Sequence, residues 1–565
     1  MRQSAAHISK TGNNKVNEKR IPVLIVGGGT VGLYLAMELG WRGVDFIMVS
    51  DRDATSTHPK GSTINSRSME HLRRIGAAPA VRKVGVPADH VTDITYITRF
   101  TGYELGRIAM PSLNEKIANP GPWGETLLTP EPIHRCNQMY FEPVFREFAE
   151  AHPSADLRFG WKLASFERFD DRVEAEIEEI ATGQRDTIVC DYMVGCDGAN
   201  GPVRRDLGFK YGGRSSSGDK FYDGRMLSIF IRAPKIYDIM KFPPSWHYFT
   251  INNDGRMDCI SLDCKGDFVI LAHIPPDTPL AEIDAKALFQ RTVGADVDAE
   301  VVSVQEWWAG LALVTEHYRD GRVFLAGDSV HLFTPSGGFG FNTGIDDAAN
   351  LAWKLAAVCQ GWADAALLDS YEAERRPIGI RNTTESGLLA EQIALLEIPP
   401  HIEDPTPEGD AERAAFTIEL DKFREEFASL GIQLGARYDG SPVIIGDGAT
   451  PPPDDPKKYT PSAVPGGRAP HYWIDGRDSL FDTFGPGFTL LRLGATPPDT
   501  GDFAAAAAAR GIPFKIVDVA EPGILDLYER PLALIRPDQH VAWRGDTAPA
   551  DAGAMLDTLT GRNAA

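Results

Sequence analysis

The sequence predicts an α/β protein in which a first parallel-sheet domain is interrupted by a strand-rich insertion and followed by a second, smaller α/β region. Three observations carry this reading. The apolar run Ile21 to Val26 ends in glycines, and Thr30 to Gly40 then carries apolar residues at helical spacing. Residues from about 211 to 310 leave the strand–helix rhythm for closely spaced strands. A Pro/Gly/Asp-rich stretch from about 438 to 470 sets off the last region.

Taken in order, residues 1–20 are polar and basic and read as a disordered leader. The strand Ile21 to Val26, the helix with Val31, Leu35 and Leu39 on one face, and the strand Phe46 to Val49 form a βαβ-like opening. Thr187 to Val194 is a further strand. The inserted sheet includes Met226 to Ile231, Trp246 to Ile251 and Phe268 to His273. Arg322 to Ala326 then leads through a glycine-rich loop into a helix from about Ile345 to Cys359, with Ala348, Leu351, Ala352 and Leu355 as its stripe. The expected domains are 21–210 with 311–400, the insertion 211–310, a helical connection 401–439, and 440–565. Ala504 to Ala509 reads as a plain helix of good formers.

A chain of 565 residues exceeds what one core serves, and its 43% hydrophobic and 24% charged composition is that of a folded protein. The balance of 57 Lys+Arg against 79 Asp+Glu gives −22, which argues against nucleic acid or an anionic membrane as the main partner. No stretch reaches the ~18 apolar residues of a membrane span. The six cysteines, Cys136, Cys190, Cys196, Cys259, Cys264 and Cys359, show neither a disulfide framework nor zinc-site spacing. A reducing cytoplasm fits, and no metal site is expected.

Gly27-Gly28-Gly29-Thr30-Val31-Gly32 matches G-x-G-x-x-G between a strand and a helix, the Rossmann-like context. Gly27 permits the tight turn, Gly29 admits a pyrophosphate to the backbone, and Gly32 lets helix pack on strand. Oriented N–H groups at the helix start then face the phosphates. The motif alone does not choose between NAD and FAD. An acid about 20 residues on holds the ribose in such folds, which points to Asp51, since Ser50 stands at the position expected for it. Asp197-Gly198 and Gly327-Asp328 likewise end strands, where open α/β sheets bind ligands.

With these turns, the blocks Pro335-Ser336-Gly337-Gly338-Phe339-Gly340-Phe341-Asn342-Thr343-Gly344, Asp347 to Leu355 and Tyr371-Glu372-Ala373-Glu374-Arg375-Arg376-Pro377 resemble the class A flavoprotein monooxygenases, in the branch of phenol and chlorophenol hydroxylases. The resemblance runs through nearly the whole chain from about residue 20. It implies FAD, held by Gly27, Gly29, Gly32, Asp51, Arg67, Gln138, Asp197, Gly198 and Asp328, with Pro335, Gly337, Gly338, Gly340, Phe341 and Asn342 along the flavin. It also implies a thioredoxin-like C-terminal domain, through Gly467 to His471, Phe488 to Leu493 and Arg536 to Arg544. No cysteine follows Cys359, so a thiol redox role for that domain is excluded.

The implied reaction is hydroxylation of a phenolic ring with NADPH or NADH and O₂, through a flavin C4a-hydroperoxide. A single G-x-G-x-x-G implies that the nicotinamide visits rather than occupies a second Rossmann domain. A base near the substrate hydroxyl assists attack. Some relatives carry an Asp five residues before the arginine matching Arg67, where this chain has Ser62, so His247 and Tyr248 of Trp246-His247-Tyr248-Phe249 become the catalytic candidates. Alternation along a strand aims them at opposite faces, so one at most meets substrate, and an aromatic cluster is the competing reading. Asp346 and Asp347 are expected to cap the helix near Ile345 rather than to act in catalysis. A simple, chlorinated or alkylated phenol is the first expectation and a polycyclic polyketide phenol the second. The alternatives are another oxygen insertion, an oxidase reaction, or a flavin-sensing protein without turnover. Disulfide reduction lacks its cysteine pair. A homodimer is the default assembly.

Overall fold

A computed structural model of the chain describes residues 19–119, 125–216, 224–275, 277–394, 396–420, 427 and 429–563. The expected leader falls outside the described residues as far as residue 18, and Lys19 and Arg20 already belong to the first strand, β1 (Lys19–Val26). The helix α1 (Thr30–Trp41) returns the chain to β2 (Phe46–Ser50), which pairs parallel to β1. On the other side of β1 lie β3 (Arg185–Gly195) and then β5 (Val323–Leu325), again parallel. Ala155–Phe159 extends the sheet beyond β2. Helices on both faces leave every residue of β2 buried, which is why these strands read as continuous apolar runs.

The second sheet has seven strands, in the order Glu300–Ala309, Gly224–Arg232, Asp267–His273, Gly255–Ser261, β4 (His247–Asn252), Ile94–Ile97 and Glu104–Ile108. The last two come from the stretch assigned to the first domain, and Ile94–Ile97 pairs parallel to β4. The boundary at 211 is also displaced: Tyr211–Arg214 pairs with Ala312–Thr315 in a small separate sheet. One face of the large sheet packs Tyr248, Phe268 and Ile270 against the helix Ala285–Val293 through Phe289. The other face carries Phe249 and Trp246 toward Ile402, Phe416 and Leu420. His58, in the loop after β2, ties that loop to the second sheet through hydrogen bonds with Ser303 at 2.7 Å and Ser228 at 2.9 Å.

The long helix α4 (Gly340–Cys359) begins at the loop after β5 and starts about a turn earlier than the spacing predicts. It packs on α1 and on α5 (Ser370–Ala394). The C-terminal region follows a β-α-β then β-β-α path, with Phe488–Leu493 parallel to Phe514–Val519 and antiparallel to Leu532–Ile535, as the thioredoxin-like reading requires. It is no appendage. Trp353 and Ala357 of α4 share one buried core with Phe488, Leu490, Leu532 and Trp543. None of the described helices is long and apolar enough to cross a membrane.

Buried charge joins the same two regions. Glu374 of α5 accepts from Lys354 at 2.7 Å and from Arg536 at 2.6 and 2.9 Å, all of them fully enclosed. Glu70, on α2 (Ser66–Arg74), accepts from Arg468 and, at 2.8 Å, from Arg67. Removing one partner of such a cluster strands the other without solvent. Arg536→Met is therefore expected to lower stability by roughly 3–5 kcal/mol, read by chemical denaturation of the holoenzyme.

Burial alone pushes the Glu70 carboxyl up, but Arg468, Arg67 and the Thr129 hydroxyl outweigh it and hold it at about 2, below its ordinary 4.5. Its folded value is depressed, so its contribution is complete above the ordinary value and disappears as pH falls toward about 2. Stability measured across that window should fall in the wild type, with a shallower slope in Arg468→Met.

Candidate active site

The three nucleotide turns end the adjacent strands β5, β3 and β1, so the sheet brings together what the sequence separates. Gly27 has φ 114°, and a Cβ there would lie 2.3 Å from the Cys196 carbonyl oxygen. At Gly32 a Cβ would lie 1.9 Å from the Gly27 oxygen, so the third glycine lets α1 seat on its own turn. Gly29 is different: nothing lies within 4 Å of its missing side chain, and the turn opens there onto empty space. Val31 locks the group, because side chains at Gly327 or Gly344 would meet its methyl at 2.8 and 2.5 Å.

Around this opening the residues divide into those that face it and those that build it. Asp328 faces it. Its backbone oxygen accepts from the Tyr211 hydroxyl at 2.5 Å, while no hydrogen bond from another described residue reaches its carboxylate. The carboxyl lines the open cleft, yet the surrounding protein desolvates it and raises it above its ordinary value, against the pull of His331 and Lys60. Lys60, in the loop before α2, lies within the fields of both Asp328 and Glu142 and was not singled out from the sequence. A lone lysine in a loop carries no motif. Gln138 opens the helix α3 (Gln138–Glu150) and donates to Glu142 at 2.6 Å. Glu142 also accepts from the Thr30 hydroxyl at 2.8 Å and the Ser56 amide at 2.9 Å, tying α3 to the start of α1.

Other expected contacts turn inward. Asp197 accepts from Ser329 at 3.0 Å and from the Val203 amide at 2.9 Å, and a Cβ at Gly201 would collide with its carboxylate at 2.1 Å. It shapes the turn, and Gly198, with φ 80° and no neighbour within 4 Å, is the open member of the pair. Arg67, expected to contact the cofactor, has its guanidinium bonded to Glu70, to the Gln539 side chain at 2.8 Å and to the Asp538 carbonyl at 2.6 Å, in the seam with the C-terminal region. Asp51 is exposed beyond the end of β2, whereas Ser50 is buried beneath the turn, 2.9 Å from where a Gly28 Cβ would stand.

Gly337 and Gly338, with φ 78° and 64°, carry the loop between Pro335 and Gly340 into α4. Asn342 fixes that loop. Its amide donates to the Thr63 and Gly338 carbonyls at 2.9 and 2.8 Å, and its oxygen accepts from the Asn65 amide at 3.0 Å and the Ser68 hydroxyl at 2.8 Å. Phe341 packs on Phe141 and against Gly61. Asp346 and Asp347 are not caps. Because α4 starts at Gly340, they fall in its second turn, fully enclosed, where Asp347 accepts from His331 at 2.7 Å and Arg375 at 2.8 Å, and Asp346 from His71 at 2.8 Å and from Arg375.

Of the two catalytic candidates, Tyr248 is displaced from the site. It points away from the first domain into the core with Phe100, and its hydroxyl oxygen accepts the Ser245 amide at 2.6 Å. His247 takes the opposite face, stacked on Phe249 at 4.3 Å. Burial, with Arg135 nearby, holds it down at about 3, so it stays neutral and is a weak base. Arg135, also absent from the sequence reading, lies just before α3: its guanidinium covers the Trp246 ring at 4.0 Å and donates to the Thr63 hydroxyl at 2.7 Å. Thr63 in turn adjoins Gly338, so this aromatic wall abuts the glycine loop.

The open space at Gly29, the unclaimed Asp328 carboxylate and the uncovered Gly198, with the left-handed glycines before α4, fit an extended dinucleotide running from the α1 turn to the α4 loop. Comparison with known proteins agrees. Residues 20–386 match the FAD binding domain family, and residues 462–563 match the aromatic-ring hydroxylase C-terminal family. The chain belongs to the class A FAD-dependent aromatic hydroxylases, and it is an FAD-dependent monooxygenase. It is 31% identical to the FAD-dependent monooxygenase apdD of Emericella nidulans, over 93% of this chain and 87% of the relative. It is 29% identical to phenol 2-monooxygenase of a Pseudomonas species, strain EST1001, over 97% and 94% of the two chains. The solved structure of RebC with bound 7-carboxy-K252c superposes with a TM-score of 0.86 at 36% identity, covering 96% of this chain and 99% of that one.

Asp328→Ala should leave the protein folded but poor in FAD, because a carboxylate that no described residue hydrogen-bonds is lost from the cleft. Gly29→Val should do the same by filling the opening. The checks are flavin absorbance per chain and the far-ultraviolet circular dichroism of each variant, and unchanged FAD content would remove the residue from the site.

Proposed function

We propose that this monooxygenase places one hydroxyl group on a phenolic ring, consuming one NAD(P)H, one proton and one O₂ and releasing NAD(P)⁺ and water. The observation that carries this is the aromatic wall of Trp246, His247 and Phe249 abutting the glycine loop that opens α4. FAD, when bound, supplies the electron transfer and the oxygen activation. The chain's own part is to hold and shield. Gly29, Lys60, Gln138, Gly198 and Asp328 would receive the dinucleotide, and the Gly337–Asn342 segment would lie along the flavin. Oriented amides at the start of α4 favour negative charge at the ring edge that meets them. The apolar wall keeps water from the reacting centre.

Phenol is named by the Pseudomonas relative, which supports a small phenol as substrate. Relatives named as polyketide hydroxylases support the second reading, a polycyclic polyketide phenol. The C-terminal domain acts through packing and charge pairing, and we place the enzyme in the cytoplasm as a homodimer that NADPH or NADH visits transiently. The test is mass spectrometry of products formed under ¹⁸O₂ from small and polycyclic phenols, alongside NAD(P)H consumption. One ¹⁸O on the ring is expected, with much slower reaction of arenes lacking a hydroxyl or amino donor. A ring-cleaved or ester product, or oxygen drawn from water, would overturn the reading.

A further inference from the structure

The aromatic wall contains a cation whose hydrogen-bonding capacity is only partly used. Arg135 is buried, and one of its nitrogens donates to Thr63, but among the described residues Nε and the second terminal nitrogen have no partner. Beside it, both ring nitrogens of buried His247 are also without a hydrogen bond. Leaving buried donors unmatched costs about 1–3 kcal/mol each, more for charged groups, so a cluster of them in one place needs a reason. No described side chain or backbone group supplies it. Nor does a neighbouring carboxylate: the nearest acids are Glu125, whose oxygens are taken by Lys116, Ser66 and the Ile133 amide, and Asp258, 3.6 Å from the imidazole.

We propose, resting on the hydroxylase reading above, that Arg135 and His247 form a seat for an anionic oxygen on the aromatic substrate, either a phenolate or a ring-borne carboxylate. Trp246 holds the guanidinium plane from one face, and Thr63 anchors one end, leaving an edge with two N–H groups. Such an edge matches an oxyanion far better than a neutral hydroxyl. Phe249, stacked on His247, offers a flat apolar surface beside the seat for the ring itself.

The seat also answers the missing base. Ser62 occupies the position where an acid is found in some relatives, and its hydroxyl accepts from Asn137 at 2.8 Å. Neutral His247 is too weak a base to take the proton. With Arg135 stabilising the anion, a phenol loses its proton to bulk water on entry and binds already ionised, so no protein base is needed. The titratable and charged groups around Arg135 are His134 on its own segment, Glu125 and Lys116 opposite, and His247 with Asp258 on the sheet. Burial lowers His134 to about 4, so it adds no charge near neutral pH.

The experiment uses the FAD-loaded enzyme and measures binding through the change in flavin absorbance and fluorescence, independently of turnover. The probes are 2-naphthoate, 2-naphthol and naphthalene, with wild type, Arg135→Met, Arg135→Lys and His247→Phe. Wild type should bind 2-naphthoate at neutral pH, and its affinity for 2-naphthol should rise with pH as the phenolate forms. Arg135→Met should weaken the anionic probes about 10- to 100-fold and leave naphthalene unchanged. Arg135→Lys should recover part of that loss, and His247→Phe should cost less. FAD content and melting temperature exclude misfolding, and the pH profile of naphthol in the wild type stands even if Arg135→Met is unstable. A preference for 2-naphthoate alone assigns the seat to a carboxylate, and the rising naphthol profile assigns it to a phenolate. Equal affinity of Arg135→Met for all probes, or no binding of either anionic probe by wild type, would overturn the proposal. Failure of the ¹⁸O₂ experiment with intact anion binding would instead sink the hydroxylase reading alone.

Discussion

The arrangement depends on burying five carboxylates beside five cations. Glu70, Asp346, Asp347, Glu374 and Asp538 are matched by Arg67, Lys354, Arg375, Arg468 and Arg536, each at most 8% exposed. No such group can be enclosed alone, because desolvation of an unpaired ion costs more than packing returns. The balance therefore forces α2, α4, α5 and the C-terminal strands into one register. It also fixes the loop from Gly337 to Asn342, since Asp346 and Asp347 sit one turn beyond it and are held by Arg375 and two histidines. His71 is held at about 3 by burial and the nearby Arg67, so it enters this cluster as a neutral donor and leaves the charge count even.

Glycines then convert that rigid frame into a cleft. At Gly27 and Gly32 their smallness admits neighbouring backbone, and at Gly327 and Gly344 it admits the Val31 side chain. At Gly29 and Gly198 it is used for absence, leaving surface that a cofactor can cover. The same residue type thus has two roles that the sequence cannot separate and the packing can.

What was legible in the sequence was local. Strand ends with their turns, the helix after Gly29 and the inserted strands all follow from periods and glycines carried within a few residues. What escaped was long-range. Ile94–Ile97 joins the second sheet through a parallel pairing with β4 across about 150 residues, and no local pattern records that partner. Asp346 and Asp347 look like caps until Arg375, His71 and His331 are seen around them. Arg67 carries the family pattern, but its partners Asp538 and Gln539 lie at the far end of the chain. Arg135 carries no local motif, because the wall that it joins is built by Trp246 and completed from the segment before α3.

The Glu374–Arg536 pair spans 162 positions of sequence, which orders events during synthesis. Glu374 and Lys354 leave the ribosome on the order of 10–30 s before Arg536 at ordinary elongation rates. Until then the inner side of α4 and α5 carries an acidic cluster short of its counterions, and Trp353 has no C-terminal strands to cover it. The nucleotide turns are all translated by then, but α4 and α5 still lack the partners that neutralise and cover them. The C-terminal strands, among the last parts of the chain made, thus complete both the charge balance of α5 and the core around Trp353.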